Sequence, residues 1–404
     1  MEKNIKFGTD GWRAVIAEDF TFDNVRACAQ GVADYLKQAR LADRSLVIGY
    51  DTRFASEDFA AATAEVIAGN DIKVLLCCKA APTPVVSYAV TATRSAGAVI
   101  ITASHNPASW NGFKFKTEQA TSAPPEAIAR LEEYISQIGA GGKVMQVVLD
   151  QAVRERMVEM FDPSPSYLRH IGRLVDLERI RSSGLKVVVD SMYGAGAGYF
   201  RALLRGGATK VIEIHGKRNP LFPGIRPEPI ASNLVELCAK VRRSGASVGL
   251  ATDGDADRIG IVDEKGNFLT TLQVFALLAL YLLEVCGQRG AIIKTITSTS
   301  MLYRLGELYG VPVFETPVGF KHVAPKMMAE DALIGGEESG GFGYRGHIPE
   351  RDGILSGLFI LDLMIRQQKT PSQLVEYLYG KVGPHYYDRV DIHFPPEERE
   401  VITH

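Results

Sequence analysis

The chain has 404 residues, 46% apolar and 23% charged, and a formal net charge of −2. That length predicts two to four domains with large buried cores. The near-neutral balance excludes charge-driven binding to nucleic acid or an anionic membrane, and the longest apolar run, Val274–Leu283, is half a membrane span.

The opening MEKNIKFGTDGW has no apolar core of the signal-peptide kind. The cysteines at 28, 77, 78, 238 and 286 lack metal-type spacing, so a reducing, cytoplasmic setting is expected. Phe7–Ala14, FGTDGWRA, reads as a tight glycine-flanked loop carrying Arg13. An amphipathic helix is expected over residues 22–40, followed by strand 46–51, helix 57–68 and strand 73–78. This alternation is that of βαβ units and predicts an α/β fold.

Gly97–Pro107, GAVIITASHNP, is the stretch around which the chain is organised. Its apolar run suits one buried strand, and it stops abruptly in a loop of small and polar residues ended by Asn-Pro. A serine alone in such a turn is ordinary. Here Ser104 stands where open α/β sheets bind ligands, with Lys114 and Lys116 close behind. A helix is expected over 124–138, a flexible seam at Gly139–Lys143, and one interrupted amphipathic helix over 152–175. A second α/β unit runs from strand 185–190 through strand 210–215 and helix 232–244 to strand 247–252. A third has helix 271–285, strand 291–295, helix 301–310, strand 311–315, the loop Gly335–Gly343 and helix 353–368. The parallels VIGYDTR, VVVDSMYG and VGLATDGD suggest weak internal repetition.

Thr252–Arg258, TDGDADR, ends a strand with three carboxylates at alternate positions. Asp253, Asp255 and Asp257 could not lie together in a core without a cation, because like charges raise one another's pKa and burial penalises each. Hard oxygen donors of this kind suit Mg²⁺. An EF-hand loop also begins D-x-D-x-D and would end at Glu264. It needs glycine where Arg258 stands, however, and helical flanks where this sequence has strand-like ones.

Together, FGTDGWRA, TASHNP, DGDADR and GEESGG resemble the α-D-phosphohexomutase family, the phosphoglucomutases and phosphomannomutases, in order and spacing. The resemblance implies three consecutive similar α/β domains with mixed sheets sandwiched by helices around a central cleft: 1–145, 146–265 and 266–380. It implies that Ser104 carries a phosphoryl group and that Asp253, Asp255 and Asp257 hold Mg²⁺ with an oxygen of Ser104. Arg13, His105, Lys114 and Arg258 then belong to the catalytic set, while Lys321, Glu337 and Ser339 contact the sugar. The implied reaction interconverts hexose 1- and 6-phosphates, with glucose first, then mannose or glucosamine. It runs through a phosphoserine enzyme and a bisphosphorylated sugar, with glucose 1,6-bisphosphate as activator. A monomer or homodimer acting on small molecules is expected.

Two departures from the pattern stand out. Where some members carry histidines, this chain has Gly341 and Phe320. His322 is not assigned their role, and Lys114 is the expected proton-transfer group. The Arg/Ser/Gly/Thr-rich phosphate loop of the family's fourth domain does not occur, and residues 381–404 read as a linker or the start of such a domain. The expectation is a chain that keeps its phosphoserine and Mg²⁺ sites yet is a poor mutase.

Overall fold

The computed structural model describes residues 5–8, 10–139 and 142–387. Thr9 of FGTDGWRA, Ala140 and Gly141 of the expected seam, and residues 388–404 of the expected linker lie outside them. The first sheet comprises β1 (Trp12–Val15), β2 (Leu46–Tyr50), β3 (Val74–Cys77), β4 (Gly97–Ile101), β5 (Trp110–Lys116) and β6 (Val158–Phe161), in the order β1-β5-β4-β2-β3-β6. Strands β4, β2, β3 and β6 run parallel, and β5 turns back antiparallel to β4. Alternate residues of β4 feed two cores. Val99 and Ile101 pack in the cluster containing Val25 and Ile67, whereas Ala98 and Ile100 pack with Val85 and Val90. Burial on both faces is why this strand reads as a continuous apolar run rather than an alternating one.

The second sheet holds β7 (Lys186–Asp190), β8 (Lys210–Ile214), β9 (Val248–Thr252), β10 (Ile259–Val262) and β11 (Phe268–Leu269), ordered β11-β10-β9-β7-β8. The third holds β12 (Ile292–Thr295), β13 (Val313–Thr316), β14 (Ile334–Gly336) and β15 (Phe342–Tyr344), ordered β13-β12-β14-β15. These are three α/β domains with mixed sheets. Each contains the same four-strand unit: β3-β2-β4-β5, β8-β7-β9-β10 and β13-β12-β14-β15. In every unit the third strand in chain order is parallel to the first, and the fourth returns antiparallel. The loops at that reversal are TASHNP, DGDADR and GEESGG. The repetition is therefore one of topology. VIGYDTR and VVVDSMYG occupy equivalent strands β2 and β7, but VGLATDGD lies on β9, whose counterpart is β4.

Residues 152–175 are not one helix. Helix Leu149–Arg154 ends before Arg156, whose φ of +59° stops it. Strand β6 then joins the first sheet beside β3, beyond the domain boundary expected at 145/146, and helix Ser164–Leu174 follows behind Pro163. Five α-helices among the described residues were not expected from the sequence: Thr83–Thr93, Leu177–Ser182, Tyr199–Leu204, Phe320–Ala329 with Pro325 inside it, and Pro371–Val382. No helix among the described residues is long and apolar enough to cross a membrane.

Candidate active site

Ser104 sits just past β4, buried, with φ +53°. A non-glycine residue in the left-handed region costs about 1–2 kcal/mol and persists only where neighbours over-determine it. They do so here. The Ser104 N–H donates to Thr102 Oγ1 (2.9 Å), and Thr102 Oγ1 donates to Asp51 Oδ2 (2.6 Å). The guanidinium of Arg53, itself fully buried, donates to the carbonyls of Ser104 (2.7 Å), Asn106 (2.6 Å), Pro107 (2.7 Å) and Trp110 (3.0 Å). Asp51 pairs with it at 3.2 Å. The serine loop is thus wrapped around one arginine.

The β9–β10 loop brings Asp253, Asp255 and Asp257 together, each fully buried, with potential ligand oxygens within 4.8 Å of one another. Every carboxylate has at least one oxygen held by a donor. Asp253 Oδ1 accepts from the Arg258 N–H (3.1 Å), Asp255 Oδ2 from Lys114 (2.7 Å) and Thr83 (2.6 Å), and Asp257 Oδ2 from Arg351 (2.6 Å). Asp253 Oδ2 accepts from Ser104 Oγ at 2.9 Å. Asp255 Oδ1 and Asp257 Oδ1 are buried without a hydrogen bond. Burial, followed by the Asp257 and Asp255 charges, pushes the Asp253 pKa well above the carboxylate range. Orphaned buried oxygens among mutually repelling carboxylates are the condition a cation relieves. The all-oxygen donor set fits Mg²⁺.

A second charge layer ties the three domains together. Lys114 Nζ lies 2.7 Å from both Asp10 Oδ2 and Asp255 Oδ2 and 3.6 Å from Asp257 Oδ2. Burial would lower its pKa, but Asp10, Asp255 and Asp257 more than offset this and raise it. Lys116 pairs with Asp10 (3.0 Å) and Glu350. Arg351 spans Asp10 (2.8 Å), Asp257 (2.6 Å) and Glu337 (2.8 Å). Its side chain also packs beside Gly341 and Phe320. An ideal Cβ on Gly341 would lie 2.3 Å from Arg351 Cδ, and the guanidinium stands 5.6 Å from the Phe320 ring centre.

A cavity of about 680 Å³ opens beside this layer, lined by His105, Arg258, Thr297, Glu338 and Ser339 among others. Ser339 Oγ is buried without a hydrogen bond. His105 Nδ1 lies 3.3 Å from Ser104 Oγ, and burial, with Arg258 and Arg13 nearby, depresses its pKa far below the usual histidine value. Arg13 donates to Asn106 Oδ1 at 2.8 Å. Ser104, His105, Arg258, Ser339 and the three aspartates therefore converge, with Lys114 packed against the aspartates and Arg13 on the serine loop. Glu337 points instead into Arg351, and Glu338, held by Thr295 Oγ1 at 2.9 Å, lines the cavity. Lys321 lines a separate cavity of about 180 Å³ beside Asp10 and Gly11. Sequence reasoning passed over Arg53, Thr83, Glu350 and Arg351. Arg53 and Arg351 lie within short charged stretches, DTR and PERD, that look like solvated turns.

Family models describing phosphoglucomutase/phosphomannomutase α/β/α domains I, II and III match residues 4–141, 165–266 and 271–382. A probable phosphoglucosamine mutase of Methanothermobacter thermautotrophicus is 32% identical over 400 residues, covering 98% of this chain and 82% of the relative. A phosphoglucomutase/phosphomannomutase of Thermococcus kodakarensis is 30% identical over 382 residues, covering 94% and 80%. The crystal structure of a putative phosphomannomutase from Thermus thermophilus superposes with a TM-score of 0.88 at 35% identity, covering 95% of this chain and 85% of that one. With its three repeated domains and the motif loops at their strand reversals, this chain belongs to the phosphoglucomutase/phosphomannomutase family of sugar-phosphate mutases.

Proposed function

We propose that the chain interconverts hexose 1- and 6-phosphates through a phosphoryl group carried on Ser104. One observation carries the proposal: Ser104 Oγ is hydrogen-bonded to Asp253 of a buried three-carboxylate cluster, at the edge of a cavity large enough for a sugar phosphate. Asp253, Asp255 and Asp257 would hold Mg²⁺, which when bound supplies positive charge against the phosphoryl oxygens. A serine hydroxyl is a weak nucleophile, so keeping it phosphorylated spares its activation in each cycle. Arg13 and Arg258 supply further charge near the roughly two negative charges of a phosphoserine. Lys114 acts as a fixed cation locked among carboxylates rather than as a proton carrier.

In the forward step the sugar hydroxyl attacks phosphorus, the Ser104 Oγ–P bond breaks, and the hydroxyl's proton ends on Ser104 Oγ, beside His105 Nδ1. The product is a hexose bisphosphate. It reorients and returns its other phosphoryl group to Ser104. Ser339 and Glu338 face the cavity and offer hydrogen bonds to sugar hydroxyls in both orientations. Positioning and fixed charge account for most of the catalysis such a transfer needs. Relatives are named for glucose, mannose and glucosamine phosphates, and the proposal covers all three hexoses.

The test is intact mass of the 404-residue chain with glucose 1,6-bisphosphate and Mg²⁺, beside Ser104→Ala, followed by coupled assays on the 1-phosphates of glucose, mannose and glucosamine. One phosphoryl group gained by the parent and absent from the variant is expected. Equal gain in both, or none in the parent, overturns the assignment of Ser104.

A further inference from the structure

Asp255 carries the cluster's most heavily used oxygen, and one of its two donors comes from a helix outside the motif loops. Thr83 is fully buried at the start of helix Thr83–Thr93. It grips Asp255 twice: its N–H donates to the Asp255 carbonyl at 2.9 Å, and its hydroxyl donates to Oδ2 at 2.6 Å. Pro82 and Pro84 flank it and restrict its backbone, and the N–H groups of Val85 and Val86 both close onto the Pro82 carbonyl. The hydroxyl therefore comes from a rigid support. Lys114 Nζ meets the same Oδ2 at 2.7 Å. With two donors on Oδ2, Oδ1 is left buried and without a hydrogen bond.

We propose that Thr83 is a positioning residue for the cation site: it fixes the Asp255 carboxylate so that a single oxygen, Oδ1, is presented to the ion. The inference rests on the reading of the three aspartates as Mg²⁺ ligands. Its chemical consequence is selectivity. Mg²⁺ demands near-octahedral geometry from single oxygens, whereas Ca²⁺ accepts both oxygens of one carboxylate in a looser, larger shell. Removing the hydroxyl leaves Lys114 Nζ as the one donor on Oδ2 and loosens the carboxylate, which penalises the smaller ion more.

The experiment is calorimetric titration of the metal-stripped full chain with MgCl2 and, separately, CaCl2. It compares the parent, Thr83→Val, Thr83→Ser and Asp253→Asn. Thr83→Val keeps the side chain's shape and the main-chain hydrogen bond, and Thr83→Ser restores the donor. Lost second-layer donors typically cost roughly 10–100-fold in metal affinity. Mg²⁺ affinity of Thr83→Val is expected to fall within that range, Ca²⁺ affinity to fall several-fold less, and Thr83→Ser to recover the parental ratio. Parental Mg²⁺ affinity in Thr83→Val overturns the proposal. So does an equal loss for both ions that serine does not rescue, which would mark a packing role only. Mg²⁺ binding unaffected by Asp253→Asn would instead refute the metal site itself.

Discussion

Gly254 lies in the three-aspartate loop, and its lack of a side chain lets that loop meet the serine loop. An ideal Cβ there would lie 2.3 Å from the Ser104 carbonyl oxygen, whereas ordinary contact begins at 3.4 Å. Gly254 is not among the positive-φ glycines, so alanine brings no backbone strain of its own and the whole effect is this contact. The carbonyl is poorly able to retreat, because Arg53 Nη2 holds it at 2.7 Å. Gly254→Ala must therefore separate the two loops by about 1 Å, an overpacking that typically costs about 1–3 kcal/mol. The same displacement stretches the 2.9 Å Ser104–Asp253 contact, and an error of that size in a reacting group can cost about 100-fold in rate. The assay is the rate of phosphoryl incorporation from glucose 1,6-bisphosphate beside thermal unfolding. Gly380→Ala serves as control, since its Cβ would meet nothing within 4 Å. Loading at the parental rate in Gly254→Ala would refute the claim that loop contact sets the serine's position.

Arg53→Lys keeps a cation beside Asp51 but cannot supply donors to four carbonyls. We expect slowed Ser104 loading with a smaller loss of stability than Arg53→Met, which leaves a buried carboxylate unpaired at a cost of about 3–5 kcal/mol. Equal loading by Arg53→Lys and the parent would show that the arginine fork does not shape the loop. A pH effect is expected away from the site. His170 Nε2 meets His347 Nδ1 at 2.9 Å, His347 Nε2 meets Asp352 Oδ2 at 2.9 Å, and the His170 ring stacks on Tyr88 at 4.4 Å. Burial, with His347 and Arg173 nearby, lowers the His170 pKa from 6.5 to about 4. Between those values the unfolded chain binds the proton more tightly, so stability should fall as pH drops from 6.5 toward 4 and be flat in this respect above 6.5. Denaturant melts of His170→Phe should show a shallower acid slope, and an unchanged slope would exclude His170 as its source.

The legible parts of this protein were the contiguous ones. TASHNP and DGDADR announced themselves because a strand, a reversal and the candidate site side chains all fall within a dozen residues. The spatial partners did not. Thr83–Thr93, TPVVSYAVTAT, is rich in β-branched residues that favour strands, and only packing on β2 and β4 makes it helical. Glu337 sits where the motif implies a sugar contact, yet Arg351 draws it away. Neither HIPERD nor GEESGG hints at this, because the two segments meet only when β14 and β15 pair. Lys114 was the expected proton carrier. Its three carboxylate neighbours come from Asp10 and from the β9–β10 loop, too far along the chain for local pattern to foretell the pairing.

The bridging of Asp10, Lys114 and Lys116 to Asp255, Asp257, Glu350 and Arg351 bears on how such a chain can change over time. Each domain repeats the same strand order, which would invite exchange of one for a relative's. Yet each contributes buried charges whose partners lie in the other two. A chimera stays paired only where the imported domain carries matching charges; where it does not, each stranded ion costs several kcal/mol. The three domains repeat as architecture, but their buried charges couple what each can change.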